Sequence, residues 1–364
     1  MAVYKIFPSQ DATLYSLYPD MNTGLDSILE ANTTYIDSAE VSRFLIKFSD
    51  ADISSILTLI DGAMYTPYLR LYSADVSGMR TDTFLEVYPV SGSWDMGTGH
   101  YGDSPTVTNG VSWTYQTVAG PTTWPSASFA ANTTGSFPTS NPGGGIWYTD
   151  YLVTQSFSYY ALKDVLLDVN NIVTAWNNNT IANDGFIVKQ PTNNEFVDSL
   201  DYQTKMAYYS RDTHTIYPPC LEFRWDDYTF NTGSTVFTTL DTDQIIVSIE
   251  NNKSEYNINS IQKFRLNMSP KYPVRTFQTS SVYVGNYILP TSSLYAIKDS
   301  QTNEFIIDFD SNYTKLSVDS VGNYFTLYMN GLEPERTYEV YVKTFIDGET
   351  IILTNNLLFK VTNG

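Results

Sequence analysis

The sequence predicts an all-β protein built from antiparallel β-sandwiches, and three observations carry that expectation. Aromatic residues make up 15% of the 364 residues, with 29 tyrosines, while charged residues reach only 16%, a balance that favours strands and rigid hydrogen-bonding surfaces over helical bundles. Apolar residues recur in short alternating runs, the period of a half-buried strand. Clusters of Gly, Pro, Asn and Asp separate those runs. At this length there is room for roughly two domains, each with its own core.

In order along the chain, Asp11-Ala12-Thr13-Leu14-Tyr15 opens the pattern. The turn cluster Pro19 to Gly24 follows, then a short strand at Ser27 to Ala31. Ser42 to Phe48 is a strand whose Phe44, Ile46 and Phe48 share one face while Leu45 occupies the other, so cover on both sides is expected. Ile53, Ile56, Leu57 and Ile60 fall at helical spacing after Asp50, which predicts a short helix over Asp50 to Ile60.

The chain is organised around Tyr68 to Trp113. Strands at Tyr68 to Tyr72 and Thr83 to Val90 lead into a turn-rich excursion, Ser91 to Thr108, with a return at Val111 to Trp113. Trp94 and Trp113 are the expected anchors of this glycine-rich loop. Gly120 to Asp150, with its prolines and the run Gly143-Gly144-Gly145, reads as a linker or a long surface loop, and Trp124, Trp147 and Tyr148 favour an ordered loop. Beyond it come strands at Gln155 to Tyr159 and Val165 to Val169, then a short helix at Asn170 to Trp176. Strands at Gly185 to Lys189, Lys205 to Ser210 and Cys220 to Trp225 complete this half.

Residues 10 to 227 resemble the DNRLRE-type β-sandwich modules, relatives of carbohydrate-binding modules. The resemblance is carried by Asp11 before Asn22-Thr23-Gly24, the Arg43 to Phe48 strand, Leu69 to Tyr72, and Val87 to Val90 leading to Trp94-Asp95. Trp113 after Asn109-Gly110, Val169 and Trp176 before Asn183 to Phe186, and Tyr209 to Asp212 before Pro218 to Leu221 continue the series. It implies a large jelly-roll-like sandwich over residues 1–228. The Gly120 to Asp150 segment departs from the pattern.

A polar break at Asp226 to Ser234 sets the expected domain boundary. Strands are then predicted at Gln244 to Ile249, Lys263 to Met268, Ser281 to Val284, Glu304 to Phe309, Tyr324 to Met329, Thr337 to Lys343 and Leu357 to Val361. Leu332 to Tyr338 resembles the tyrosine corner of fibronectin type III modules. That resemblance implies a smaller immunoglobulin-like sandwich over residues 229–364, with Tyr338, Val340 and Val342 pointing inward.

A formal charge of −19 argues against coating nucleic-acid phosphates. No run reaches the length of a membrane helix, and the first residues have no secretory pattern, so no membrane insertion or export is expected. Cys220 lies in an apolar run and reads as a small buried hydrophobe. His100 and His214 have no metal-ligand spacing, and His100 reads as a surface residue. Asp308, Asp310 and Asp319 read as solvated turns, or at most a weak calcium site. No enzyme, cofactor or metal site is expected.

Two surfaces are candidates for binding. Trp124, Trp147 and Tyr148 offer faces that would stack on sugar rings, or else pack the long insertion onto the sandwich. Lys263, Arg265, Lys271 and Arg275 form a basic island in an acidic chain, either a solvated strand face or a docking patch for an acidic neighbour such as a second copy.

From Val3 to Pro8, through Ile216 to Trp225, to Met329 to Pro334, the chain also resembles virion structural proteins of marine T4-like tailed phages. This implies a component of the virion exterior (neck, tail, baseplate or fibre attachment) assembled in the host cytoplasm. Its expected partners are other virion proteins and further copies of itself, in a homo-oligomer. A glycan-binding adhesin on the host surface is the alternative.

Overall fold

The chain folds as an all-β protein in the computed structural model, which describes residues 2–35, 39–117, 122–124, 134–135, 143–272, 286–354 and 357–363, with two α-helices among the described residues. Its strands divide between two units, one formed by Ile6–Leu59 and Thr66–Glu222, the other by Met1–Lys5, Ile60–Tyr65 and Phe223–Gly364. The polar break at Asp226 to Ser234 thus lies just inside the second unit, which also recruits two short upstream segments.

The larger unit is dominated by an eight-stranded sheet curled into a half-barrel. Its order is Val153–Phe157, Thr83–Pro89, Phe186–Lys189, Ala39–Lys47, Ile28–Tyr35, Thr204–Tyr209 and Ser73–Ser77, with Gln10–Tyr15 also paired to Ala39–Lys47. Ala39–Lys47 serves three partners. Its first residues pair with Thr33 to Tyr35, and the rest lies between Gln10–Tyr15 and Phe186–Lys189.

This strand is the hub because both its faces are apolar. Phe44, Leu45, Ile46 and Phe48 are all fully buried. Phe44 packs on Tyr208 and Phe48 on Phe186, which also meets Trp176 of the second helix, Asn170–Asn177. Leu45 points the other way, into a cluster with Trp94, Trp113, Trp124 and Trp147. The long excursion after Val90 therefore forms a layer over one face of the sheet. On a second sheet Leu69 and Leu71 of Tyr65–Leu71 pair with Leu167 and Val165, and both leucines are buried as their alternation requires. Cys220 is buried.

The first helix spans Asp50–Ile60, with Asp50 and Asp52 in its first turn, where carboxylates favour the helix dipole. Ile53, Ile56 and Ile60 are its buried stripe; Leu57 is half-buried.

The smaller unit is a sandwich of two sheets. The first has the order Ile245–Ile249, Ile261–Pro270, Asn323–Tyr328 and Ser317–Val318. The second runs Glu255–Asn257, Leu358–Thr362, Arg336–Ile346, Leu294–Asp299 and Phe305–Ile307, with Glu349–Leu353 also on Arg336–Ile346. Phe325 stacks between Phe264 at 5.1 Å and Tyr295 at 4.3 Å, joining the sheets through one core. The predicted strand at Ser281 to Val284 lies outside the described residues.

Tyr338, Val340 and Val342 face this core, and the Tyr338 hydroxyl donates to the Glu333 carbonyl at 2.9 Å. That bond fixes the turn at which Arg336–Ile346 begins. Tyr338→Phe removes the donor and leaves the carbonyl without that bond, so a loss of about 1 kcal/mol is expected. Urea unfolding of the full chain reads it as a lower midpoint at unchanged slope, and an unshifted midpoint would remove the corner from the account of this unit's stability.

Candidate functional site: a tyrosine-walled pocket on the half-barrel sheet

The site begins with Asn22. Its Nδ2 donates to the carbonyls of Met96 at 2.7 Å and Val111 at 2.8 Å, and its Oδ1 accepts from the Gly99 and Gly24 amides at 2.8 and 3.3 Å. One buried amide thus holds both ends of the excursion. Gly97 is required beside it. Its φ of 78° suits glycine, and a Cβ there would stand 2.3 Å from Asn22 Oδ1.

Fastened this way, the loop delivers Tyr101. Asp26 accepts the Tyr101 amide on both carboxylate oxygens, at 2.9 and 3.1 Å, and its Oδ1 lies 3.6 Å from His100 Nδ1. Burial raises the Asp26 carboxyl above its ordinary value, against the Tyr101 amide and His100, which favour the charged form. The Tyr101 ring lies 5.1 Å from that of Tyr15 and 5.9 Å from that of Tyr18. Tyr101 and Tyr18 keep 54% and 44% exposure.

These rings wall a cavity of about 430 Å³ over the outer face of the sheet. Its floor is the outward row of Ile28–Tyr35, namely Ile28, Glu30, Asn32 and Thr34, continued sideways by Glu40, Ser42 and Lys205. Strand alternation places them: Leu29, Ala31 and Thr33 point inward and are buried. The Tyr15 hydroxyl donates to Glu30 Oε2 at 2.8 Å. Burial and then the Glu30 charge raise the Tyr15 phenol, so it stays a donor throughout the physiological range. Asp26, Glu30 and Glu40 face the cavity against one ammonium, Lys205. Such a surface can accept hydrogen bonds from a ligand, stack on it and attract positive charge.

On the other face of the sheet lies a buried ion cluster. Arg43 Nε and Nη2 meet both oxygens of Glu195 at 3.0 and 3.1 Å, and Nη1 donates to the Gly144 carbonyl at 2.5 Å. Lys189 reaches Glu195 at 3.0 Å and Glu86 at 2.9 Å. The Arg43 guanidinium lies 4.9 Å from the Trp113 ring centroid and 5.1 Å from that of Trp147. Burial works against the Glu86 charge, but Lys189 and Thr192 outweigh it and hold the carboxyl below the ordinary range.

Among the residues singled out from sequence, Trp147 belongs to this cluster and is 4% exposed, as is Trp124, whose Nε1 donates to the Ser112 carbonyl at 2.9 Å. Both rings pack the excursion onto the sheet, and no sugar reaches their faces from solvent. Tyr148 is half-buried beside Trp147. Lys263 and Arg265 both bind Asp319, at 2.8 Å, and Lys263 stands 3.5 Å from the Tyr324 ring centroid. The Arg265 hydrogen bond, helped by Lys263, holds the Asp319 carboxyl far below its usual range. Lys271 lies beside Tyr272, and Arg275 falls outside the described residues. His214 is exposed, and Asp308 and Asp310 accept backbone amides of their own turns. Among the described residues no group of three or more His, Cys, Asp or Glu side chains is placed to hold a metal ion.

Tyr15, Tyr18, Glu30 and Glu40 are not marked as site residues by any motif in the sequence. Carrying the alternation three residues past Ala31 puts Glu30, Asn32 and Thr34 on one outward row. Compared with known proteins, the chain matches no protein-family model and no curated protein.

Proposed function

We propose that this chain is a structural component of a tailed-phage virion exterior, acting through protein–protein contacts at the neck, tail, baseplate or a fibre attachment. The sequence resemblance to virion proteins supports the location. The observation that carries the contact role is the outer face of the six-stranded sheet in the smaller unit. There Phe305, Phe345, Ile352 and Leu358 are between 37% and 52% exposed. Tyr341, Lys343 and Phe345 form one outward row of Arg336–Ile346, with Ile352 paired to Lys343 and Leu358 to Glu339.

Lys298 covers Phe305 and Tyr341, and Lys343 covers Phe309 and Phe345, at 5.3 to 5.8 Å. An apolar face dotted with lysines suits a second copy of a chain with net charge −19. Light scattering on the purified protein is expected to give a defined oligomer, and the pair Phe345→Asp with Ile352→Asp a smaller mass with the same circular dichroism. A wild-type monomer at every concentration, or an oligomer indifferent to the double substitution, would rule out this face as the contact.

The tyrosine-walled pocket favours a second reading, a glycan-binding adhesin. Rings at the mouth and a polar floor are what recognition of a sugar requires.

A further inference from the structure

The pocket between the Ile28–Tyr35 row and Tyr101 carries more than general sugar chemistry. We infer that it is a binding site for an oligosaccharide bearing free amino groups, an inference that rests on the glycan-binding reading and narrows its ligand. Four observations support this.

The cavity, at about 430 Å³, is within the range of roughly 300–1,000 Å³ usual for small-molecule sites and larger than a single lysine side chain needs. Its floor repeats a side chain at every second residue, Ile28, Glu30, Asn32 and Thr34, a spacing of about 6.5–7 Å that suits an extended ligand better than a point charge. Its walls are phenol rings, with Tyr18 and Tyr101 substantially open to solvent. Its charge is unbalanced, three carboxylates against Lys205.

The roles of the carboxylates differ. Asp26 is engaged by the Tyr101 amide and faces His100, so it serves mainly to place the wall. Glu30 anchors the Tyr15 hydroxyl through one oxygen, and Glu40 lies across the floor, 3.4 Å from the Thr34 hydroxyl. Desolvation, then Tyr18, then Glu30 and Glu40 raise the Tyr101 phenol, so the negative field of the floor reaches the wall. An ammonium lying between them would meet carboxylates below and ring faces beside it, and both attractions are stronger where water is partly excluded. Neighbouring hydroxyls would donate to the same carboxylates and to Asn32.

The test is calorimetric titration of the full chain with four probes: a glucosamine trimer, its N-acetylated counterpart, a glucose trimer and trilysine. The glucosamine trimer is expected to bind at least tenfold more tightly than either neutral trimer, and to lose tenfold or more in Glu40→Gln and in Tyr101→Ala. Tyr101 is exposed and Glu40 half-buried, and an unchanged melting temperature verifies the fold of each variant. Equal binding of all three trimers, still lost in Tyr101→Ala, would overturn the amine preference and leave the glycan reading standing. Trilysine binding without any sugar would overturn both in favour of a basic protein partner. No binding by any of the four would also overturn both.

Discussion

Arg43→Met is expected to destabilise the larger unit by about 3–5 kcal/mol, the cost of leaving a buried partner charge uncompensated. Arg43 and Glu195 are buried, and Arg43 supplies three hydrogen bonds, two to Glu195 and one to the Gly144 carbonyl. Within the cluster Arg43 and Lys189 balance Glu86 and Glu195. Removing the guanidinium leaves Lys189 shared between two carboxylates, and it empties the space between Trp113 and Trp147. Urea unfolding followed by tryptophan fluorescence measures the loss. The double substitution Arg43→Met with Glu195→Leu is expected to cost clearly less than the sum of the two single ones, since it removes the stranded charge together with its partner. Additive costs would show that the ions do not act as a pair.

The same cluster sets a pH dependence. The Glu86 carboxyl is held below its ordinary value in the folded protein, so its contribution is complete above the unfolded carboxylate pKa and is lost as pH falls through the folded one. The acid limb of the stability curve is therefore where a Glu86→Gln variant should part from the wild type least, and neutral pH where it should part most.

Asn22→Ala carries the second large effect, about 2–4 kcal/mol, because two buried carbonyls lose a donor and two amides lose an acceptor while nothing replaces the side chain. The consequence extends beyond stability. Amide exchange at Gly99 and Tyr101 should speed up by an order of magnitude or more, because the staple that holds Met96 to Val111 is gone and Tyr101 loses its station over the pocket. An unchanged unfolding midpoint, or unchanged protection at Gly99, would mean that the loop is held by its tryptophans alone.

Much of this fold was legible in the chain. The first helix was read to its observed limits because an aspartate precedes four apolar residues at helical spacing. The strand expected at Ser42 to Phe48, observed as Ala39–Lys47, reads as covered on both sides because Leu45 sits opposite Phe44, Ile46 and Phe48. Ser73–Ser77 was missed, since Ser-Ala-Asp-Val-Ser has neither strong alternation nor aromatic content and pairs only as an edge. Leu294–Asp299 was missed because it is buried along nearly its whole length and shows no period.

The chain returns at Val111 to Trp113 without strand pairing there; Tyr115–Thr117 is the paired strand, and Trp113 is pinned by the Gly144 amide on its carbonyl. Three consecutive glycines read as a break. The structure uses their positive φ to lay backbone across the Trp113 ring, where a Cβ on Gly144 would stand 2.6 Å away. Large aromatics in loops are ambiguous from sequence, which leaves Trp124 and Trp147 between stacking on a sugar and packing the insertion onto the sandwich. Both rings are buried, Trp124 against the Ser112 carbonyl and Trp147 beside the pair of Arg43 and Glu195, 152 residues apart, a contact that no local pattern announces.

The smaller unit is assembled from Met1–Lys5, Ile60–Tyr65 and Phe223–Gly364. Its first piece is tied in late, by Asn330 donating to the Lys5 carbonyl at 2.7 Å and by Tyr4 against Tyr328 at 5.7 Å. On a translating ribosome, everything the larger unit needs has been made by Glu222, so that unit can close first. Ala2–Ile6 lies beside Cys220–Trp225 in its sheet, so it waits for that strand to be made, on the order of ten seconds or more at ordinary rates of synthesis. Connectivity alone thus imposes an order, in which Ala2–Ile6 waits first for Cys220–Trp225 and then for Tyr328 and Asn330.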